Sequence, residues 1–143
     1  MTATATTTNL AKLQDHLSTQ EVPAVLVTDI TNVRWLTGFG GSFGMVIVTP
    51  EAGLFLTDSR YRIQAVEQVQ VCPSRSFGRP TTATQFLAQQ LQELGIKQIG
   101  VDEDHVTLSQ LRGWQEEMAD VEFAGRRDVC TDQRMIKSEA ELS

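Results

Sequence analysis

Two short apolar runs separated by a turn limit the possible folds more than any other feature of the sequence. Met45–Thr49 (MVIVT) is rich in β-branched residues, and Leu54–Thr57 (LFLT) follows it after the turn-forming stretch Pro50–Gly53. We predict that the two runs are the strands of a β-hairpin. A hairpin contains an antiparallel strand pair, so a purely parallel sheet is excluded.

Strand-like and helix-like patterns alternate along the rest of the chain. Further strands are predicted at Ala24–Thr28, Val69–Cys72, Gln98–Asp102 and Val121–Ala124. Helices are predicted to begin at Thr8, Asp58, Thr81 and Thr107, the second over Ser59–Glu67 and the third ending at Gly95. The segments Asp29–Thr31 and Pro73–Pro80 are predicted to be a turn and a loop.

Apolar residues at helical spacing predict which side chains face the core. They are Leu10, Leu13, Leu17, Tyr61, Ile63, Ala65, Val66, Phe86, Leu87, Leu91, Leu94, Leu108, Leu111, Trp114 and Met118. With the strands, they predict an α/β fold: a three-layer domain with a mixed, about six-stranded sheet flanked by helices.

Composition excludes several classes of function. The chain has 143 residues, 41% of them hydrophobic and 21% charged, which suits one compact domain. Its net charge of −6 repels phosphate backbones and argues against nucleic-acid binding. No apolar run is long enough to span a membrane. The distant cysteines Cys72 and Cys130 suggest reduced thiols in a cytoplasmic protein rather than a disulfide or zinc site.

The two ends of the chain differ from its middle. Residues 1–7 are predicted to be a disordered, Thr-rich tail, and residues 8–132 the folded domain. Ser138–Glu141 forms a capping-box pattern that announces a helix, which has no room to propagate before Ser143. We therefore interpret residues 133–143 as a junction at which a further domain would begin.

The segment Gly40–Gly44 (GGSFG) matches the GxSxG pattern of a serine-hydrolase nucleophile elbow. That elbow requires a helix after the serine, whereas a predicted strand follows Ser42 directly. A hydrolase using Ser42 also needs a histidine base, and only His16 and His105 exist. A self-sufficient serine hydrolase is therefore the weaker alternative.

The same glycines do not form a phosphate-binding loop. The GxGxxG pattern fails because Phe43 occupies the third glycine position counted from Gly38, and no helix follows. Two interpretations stay open. The loop needs glycine for its backbone conformation, or it also shapes a binding pocket through Phe39 and Phe43.

Two polar clusters remain. Asp102–His105 (DEDH) has metal-ligand chemistry, but neighbouring residues point in different directions, so a solvated turn is the preferred interpretation. Asp58–Tyr61 (DSRY) is interpreted as a helix cap. The residues by themselves thus indicate an α/β domain without a complete set of catalytic groups.

Several segments together resemble the N-terminal domain of the Xaa-Pro aminopeptidase, prolidase and creatinase family. They are Ala24–Thr28, Asn32–Phe39 (NVRWLTGF), Gly41–Ser42, Phe55–Tyr61 (FLTDSRY) and Arg134–Glu141 (RMIKSEAE). Arg134, Lys137 and Glu141 stand where the family's junction into its catalytic domain has such residues. The resemblance covers almost the whole chain after the tail.

The resemblance implies a non-catalytic domain with no metal ligands, cofactor or catalytic residues of its own. Its partner would be the chain's own C-terminal catalytic domain, of pita-bread fold, with two divalent metals (Mn, Co or Zn) that cleave peptides with proline at the second position. The N-terminal domain would help to form a homodimer or higher homo-oligomer. A creatinase-like amidinohydrolase and a stand-alone interaction domain are the alternatives.

The resemblance also implies that the loop from Gly38 to Gly44 approaches substrate or a subunit interface. Phe39 and Phe43 would offer apolar walls and Ser42 a hydrogen bond. Asp58 and Arg60 would instead hold the fold, because they follow an inner strand and open a helix.

Overall fold

The computed structural model describes residues 9–19 and 22–126, which form a six-stranded sheet with helices on both faces. The helices are α1 (Asn9–Thr19), α2 (Ile30–Thr37), α3 (Arg62–Gln68), α4 (Ala83–Leu94) and α5 (Leu108–Glu117), with a 3₁₀ turn at Ser59–Tyr61 before α3. The strands are β1 (Val25–Val27), β2 (Met45–Val48), β3 (Gly53–Asp58), β4 (Ser74–Phe77), β5 (Gln98–Asp102) and β6 (Glu122–Arg126).

The sheet has the strand order β4-β3-β2-β1-β5-β6. β2 and β3 form the predicted antiparallel hairpin, with Met45 opposite Leu56 and Val48 opposite Gly53. β1 also pairs antiparallel with β2, whereas the β3–β4, β1–β5 and β5–β6 pairs are parallel. The predicted three-layer α/β fold with a mixed sheet is confirmed.

Alternating strand residues divide the interior into two cores. On one face, Val25, Val27 and Phe55 pack under α1, α2 and α3. On the other face, Leu26 and Ile47 pack under α4 and α5. The central strands β1 and β2 are buried on both faces, so their sequences are continuous apolar runs. This pattern is what allows their prediction from the sequence.

Capping side chains set where the two helices of the second face begin. Thr82 caps α4 and Thr107 caps α5, each in a capping box with the glutamine three residues later. The predicted start of α4 at Thr81 is therefore one residue early. Its predicted end is confirmed, because Gly95 adopts the left-handed conformation at φ +70°.

The prediction of a turn at Asp29–Thr31 is wrong, because these residues begin helix α2. The Asp29 side chain caps the helix by accepting a hydrogen bond from the Asn32 amide at 3.2 Å. Val33 and Leu36 face the core and Gly38 ends the helix in the left-handed conformation. The chain therefore stays helical up to the first glycine before β2.

The prediction for the fourth strand is wrong in its position. Val69–Cys72 is not a strand, and β4 lies within the predicted loop Pro73–Pro80. The Phe55 amide donates to the Pro73 carbonyl, and Ser74–Phe77 then pairs alongside β3. As an outer strand with partly exposed side chains, β4 lacks the apolar pattern of a central strand.

Some predicted core side chains are exposed instead. They are Ile63, Val66, Leu94 and Leu108. They lie on helices that bury only one face against the sheet, and these apolar residues fall outside that face. The other predicted core positions are buried or half-buried.

The predicted tail at residues 1–7, the junction at residues 133–143 and the capping box at Ser138–Glu141 lie outside the described residues. Cys130 does too, while Cys72 is half-buried, and burial raises its thiol pKa to about 11. Within residues 9–19 and 22–126, every helix is too short or too polar to cross a membrane.

Two glycines give a test of the helix assignments. A methyl group added at Gly113, inside α5, or at Gly95 would meet no atom within 4 Å, but only Gly95 has a positive φ. We expect Gly113→Ala to raise the free energy of unfolding by about 0.5–1 kcal/mol, because alanine loses less backbone entropy. Gly95→Ala should lower it by about 1 kcal/mol through left-handed strain. Urea denaturation measures both, and changes of the same sign would contradict these assignments.

Candidate functional site

The segment Gly38–Gly44, called here the glycine loop, connects the end of α2 to the start of β2. Gly38 ends α2 with its amide bonded to the Arg34 carbonyl, and Met45 begins the strand. The prediction that no helix follows this loop is confirmed, so it offers no helix N-terminus to a phosphate.

Phe39 anchors the glycine loop in the core. Its side chain is completely buried, with its ring centroid 4.8 Å from that of Phe55 and 5.6 Å from that of Tyr61. Its amide donates to the Thr37 hydroxyl at 3.1 Å. Within this domain Phe39 therefore faces the interior and positions its neighbours, rather than presenting an apolar surface.

Three hydrogen bonds fix the rest of the loop. The Gly40 amide donates to Gln68 Oε1 at 2.8 Å, and the Thr57 hydroxyl donates to the Phe43 carbonyl at 2.7 Å. The exposed Ser42 hydroxyl shares a 2.5 Å hydrogen bond with the Tyr61 hydroxyl. The loop is thus attached to β3, to the 3₁₀ turn and to α3, and its conformation is defined before any ligand binds.

An open cavity of about 300 Å³ lies beside the loop. Phe43 forms part of its wall together with Met45 and Trp114, and the first turns of α4 and α5 contribute Thr84 and Ser109. Among the described residues, none that lines this cavity has an ionisable side chain. The cavity has the apolar walls and scattered polar groups of a binding pocket, but not the acids and bases of a catalytic one.

Asp58 and Arg60 flank the loop and form a structural pair. Asp58 caps the 3₁₀ turn through the Arg60 amide and accepts two bonds from its guanidinium, at 3.0 and 2.7 Å. The hydrogen bond from Arg60 lowers the pKa of Asp58. The guanidinium carbon lies 5.1 Å from the centroid of the Tyr61 ring. The predicted capping role of this segment is confirmed.

The serine-hydrolase alternative gains no support from the geometry. Ser42 bonds to Tyr61, while the ring of His105 bonds to Asp102. His16 lies on the exposed face of α1. Within the described ranges, no hydrogen bond joins a serine to a histidine, so the nucleophile and base that this chemistry needs are not assembled there.

The interpretation of Asp102–His105 as a solvated turn is wrong for its first residue. Asp102 is buried, with its carboxylate accepting from the Asp104 amide at 3.1 Å and bonding to His105 Nδ1 at 2.7 Å. The other three residues of the segment are exposed. The sequence is compatible with a turn after the strand, but it does not reveal that the Asp102 side chain is buried.

Comparison with known proteins finds one matching domain family and several related peptidases. Residues 9–136 match the model of the Creatinase/Prolidase N-terminal domain family. Over 133 residues the chain is 29% identical to YqhT of Bacillus subtilis (strain 168), an uncharacterized peptidase, covering 93% of this chain and 37% of that protein.

Solved structures show the same relationship. A Xaa-Pro dipeptidase from Bacillus anthracis superposes with a TM-score of 0.80 and 25% identity, covering 88% of this chain and 35% of that one. The N-terminal domain of the cytoplasmic peptidase PepQ from Mycobacterium tuberculosis H37Rv gives 0.75 and 26%, covering 87% and 96%. The chain therefore spans little more than a third of YqhT and of the dipeptidase, but nearly all of an isolated N-terminal domain.

A matched pair of loop variants tests how tightly the glycine loop is packed. A methyl group at Gly41 would lie 2.3 Å from Phe39 Cζ, whereas one at Gly40 meets nothing nearer than 3.6 Å. Since Phe39 is enclosed by other rings, we expect Gly41→Ala to cost about 1–3 kcal/mol of unfolding free energy. Gly40→Ala should change it by less than about 0.5 kcal/mol. Equal effects in thermal or urea denaturation would contradict the packing described for Phe39.

Proposed function

The chain belongs to the Creatinase/Prolidase N-terminal domain family, and we propose that it is the non-catalytic N-terminal domain of a proline-specific metallopeptidase. The observation that carries the proposal is the family match over residues 9–136, in a chain that spans about a third of related peptidases. The cleaved substrate would be a peptide with proline at its second position. The compartment would be the cytoplasm, since the related PepQ is a cytoplasmic peptidase.

The metal chemistry of such a peptidase would belong to a C-terminal catalytic domain. Two divalent ions, Mn, Co or Zn, are expected there to activate water and polarise the scissile carbonyl. The residues of the described domain do not fit such a site, because no three His, Cys, Asp or Glu side chains among them could hold one metal ion. We propose that this domain contributes shape and contacts to the substrate site.

The glycine loop would be the part that limits access to the substrate site. Its exposed Ser42 and half-buried Phe43 lie on a backbone attached at several points, so they can present fixed contacts. Pre-organised contacts cost little ordering entropy on binding. Gly38 and Phe39 would act indirectly, by ending α2 and holding the loop against the core.

Assembly would use the exposed helix next to this loop. Ile63 and Val66 lie one turn apart on α3 with 69% and 67% of their surface exposed. Gln68 of the same helix holds the loop. Apolar side chains at such a position favour a subunit contact, and a homodimer would bring the loop close to the neighbouring subunit.

The first experiment asks whether the chain is catalytic by itself. The purified 143-residue chain is incubated with Mn²⁺, Co²⁺ or Zn²⁺ and a peptide with proline at the second position. No cleavage is expected, while the full-length peptidase carrying this domain should cleave under the same conditions. Metal-dependent cleavage by the 143-residue chain, free of contaminating peptidase, would refute the proposal.

The second experiment tests the role of the loop in the full-length peptidase. We expect Ser42→Ala and Phe43→Leu to raise KM by roughly fivefold, which corresponds to about 1 kcal/mol of lost contact, with metal content unchanged. The effect should grow with peptide length, because the proposed role of the loop is to limit access to the substrate site. Glu51→Gln, in the exposed hairpin turn, is the control. Kinetics of both loop variants identical to those of the control would remove the loop from the substrate site.

A further inference from the structure

We propose that His105 is a proton-controlled clamp that holds the start of α2 against the end of β5, and thereby fixes the position of the glycine loop. The clamp consists of His105, Asp102 and Asp29. It is a property of the domain itself and stands whether or not the proposed function holds.

Strand pairing brings the two carboxylates together. β1 and β5 are parallel neighbours with Leu26 opposite Val101, so Asp102 at the end of β5 and Asp29 just after β1 emerge at the same end of the sheet. The imidazole of His105 lies between them. Its Nδ1 is 2.7 Å from Asp102 Oδ2, and its Nε2 is 3.9 Å from Asp29 Oδ1.

Each carboxylate already uses its other oxygen. Asp29 Oδ2 accepts from the Asn32 amide, and Asp102 Oδ1 accepts from the Asp104 amide. The oxygens that face His105 are therefore the ones left for the ring. A neutral imidazole has one N–H donor and can serve one carboxylate, whereas the imidazolium has two donors and carries the charge that both carboxylates attract. The pair of acids is complementary to the protonated ring.

The carboxylates around the ring all favour its protonated form. The hydrogen bond to Asp102 raises the pKa of His105 most. Burial, the next largest effect, opposes it, and the negative charges of Asp102, Asp29 and Asp104 each raise the pKa by less. On the neighbouring strand, Arg126 lies across Gly100 of β5. The His105 side chain is 37% exposed, so protons exchange freely with solvent.

Helix α2 carries the effect to the loop. Asp29 caps the first turn of α2, and the eight-residue helix ends at Gly38, the first residue of the glycine loop. The first turn also buries the Asn32 side chain, whose amide nitrogen and oxygen have no hydrogen-bond partner in the part of the chain described. An unsatisfied amide destabilises the first turn of α2, so the position of this turn depends on the interactions of Asp29.

The direction of the pH effect follows from the raised pKa. The folded state binds the proton of His105 more tightly than the unfolded chain does, so the clamp contributes fully below the unfolded value of about 6.5. The contribution is lost as the pH rises through the folded value. Above it, the bond to Asp102 persists while the attraction to Asp29 is lost.

The experiment compares the two histidines of this chain. Unfolding free energies are measured from about pH 5.5 to 8.5 for the wild type, His105→Gln and His16→Gln. The difference between wild type and His105→Gln should shrink as the pH rises, while His16→Gln, on the exposed face of α1, should show no such trend. The amide-exchange protection of residues 38–44, corrected for the pH dependence of intrinsic exchange, should fall with rising pH in the wild type. It should stay constant in His105→Gln.

A second variant separates the clamp from simple loss of folding. Asp29→Asn keeps a good helix cap but removes the charge. NMR titration should place the midpoint of His105 above 6.5 in the wild type and lower it in Asp29→Asn. A wild-type midpoint at or below that value, an unchanged midpoint in Asp29→Asn, or loop protection independent of pH in the wild type would each overturn the proposal.

Discussion

The ring of Phe55 lies in the middle of β3, where both ends of the glycine loop pack against it. Phe39 packs against it from the glycine loop, and the backbone at Gly44 passes so close that an added methyl group would lie 2.7 Å from its Cε1. Since Phe55 is also fully buried beneath the helices, its ring constrains the path from α2 into β2. The conformation of the loop is thus a consequence of core packing.

The sequence could predict the elements whose formation depends on local signals rather than on packing between distant parts of the chain. The hairpin, β5, α4 and α5 have local signals: β-branched runs, capping residues and apolar side chains at a regular period. Helix α2 also has such signals, with Asp29 as cap, Gly38 as stop and Val33 and Leu36 between them. They are easily missed because the glycines and aromatics after Trp35 suggest one continuous loop.

Strand β4 could not be recognised in the same way. Its residues SRSF alternate poorly, and its place beside β3 is set by pairing with Phe55–Asp58 rather than by burial of its own side chains. An outer strand gains its stability from a neighbour that is distant in sequence, so a local pattern carries little information about it. The opposite error occurs at Ile63 and Val66, which are apolar but exposed. An apolar residue in a helix does not by itself show that its side chain faces the core.

For the candidate site, the sequence predicts a loop but cannot tell which of its aromatic side chains is buried. Phe39 and Phe43 look equivalent in sequence, yet one is enclosed by Phe55 and Tyr61 and the other lines an open cavity. The loop is held by Gln68 and Tyr61, which follow the hairpin in the sequence. The pairing of β2 with β3 brings them next to the loop.

The acids around His105 follow the same principle at the other end of α2. Asp29 and Asp102 are far apart in sequence, and the parallel pairing of β1 with β5 brings them to one imidazole. One end of α2 is therefore held by charges that depend on protonation, and the other by aromatic packing that does not.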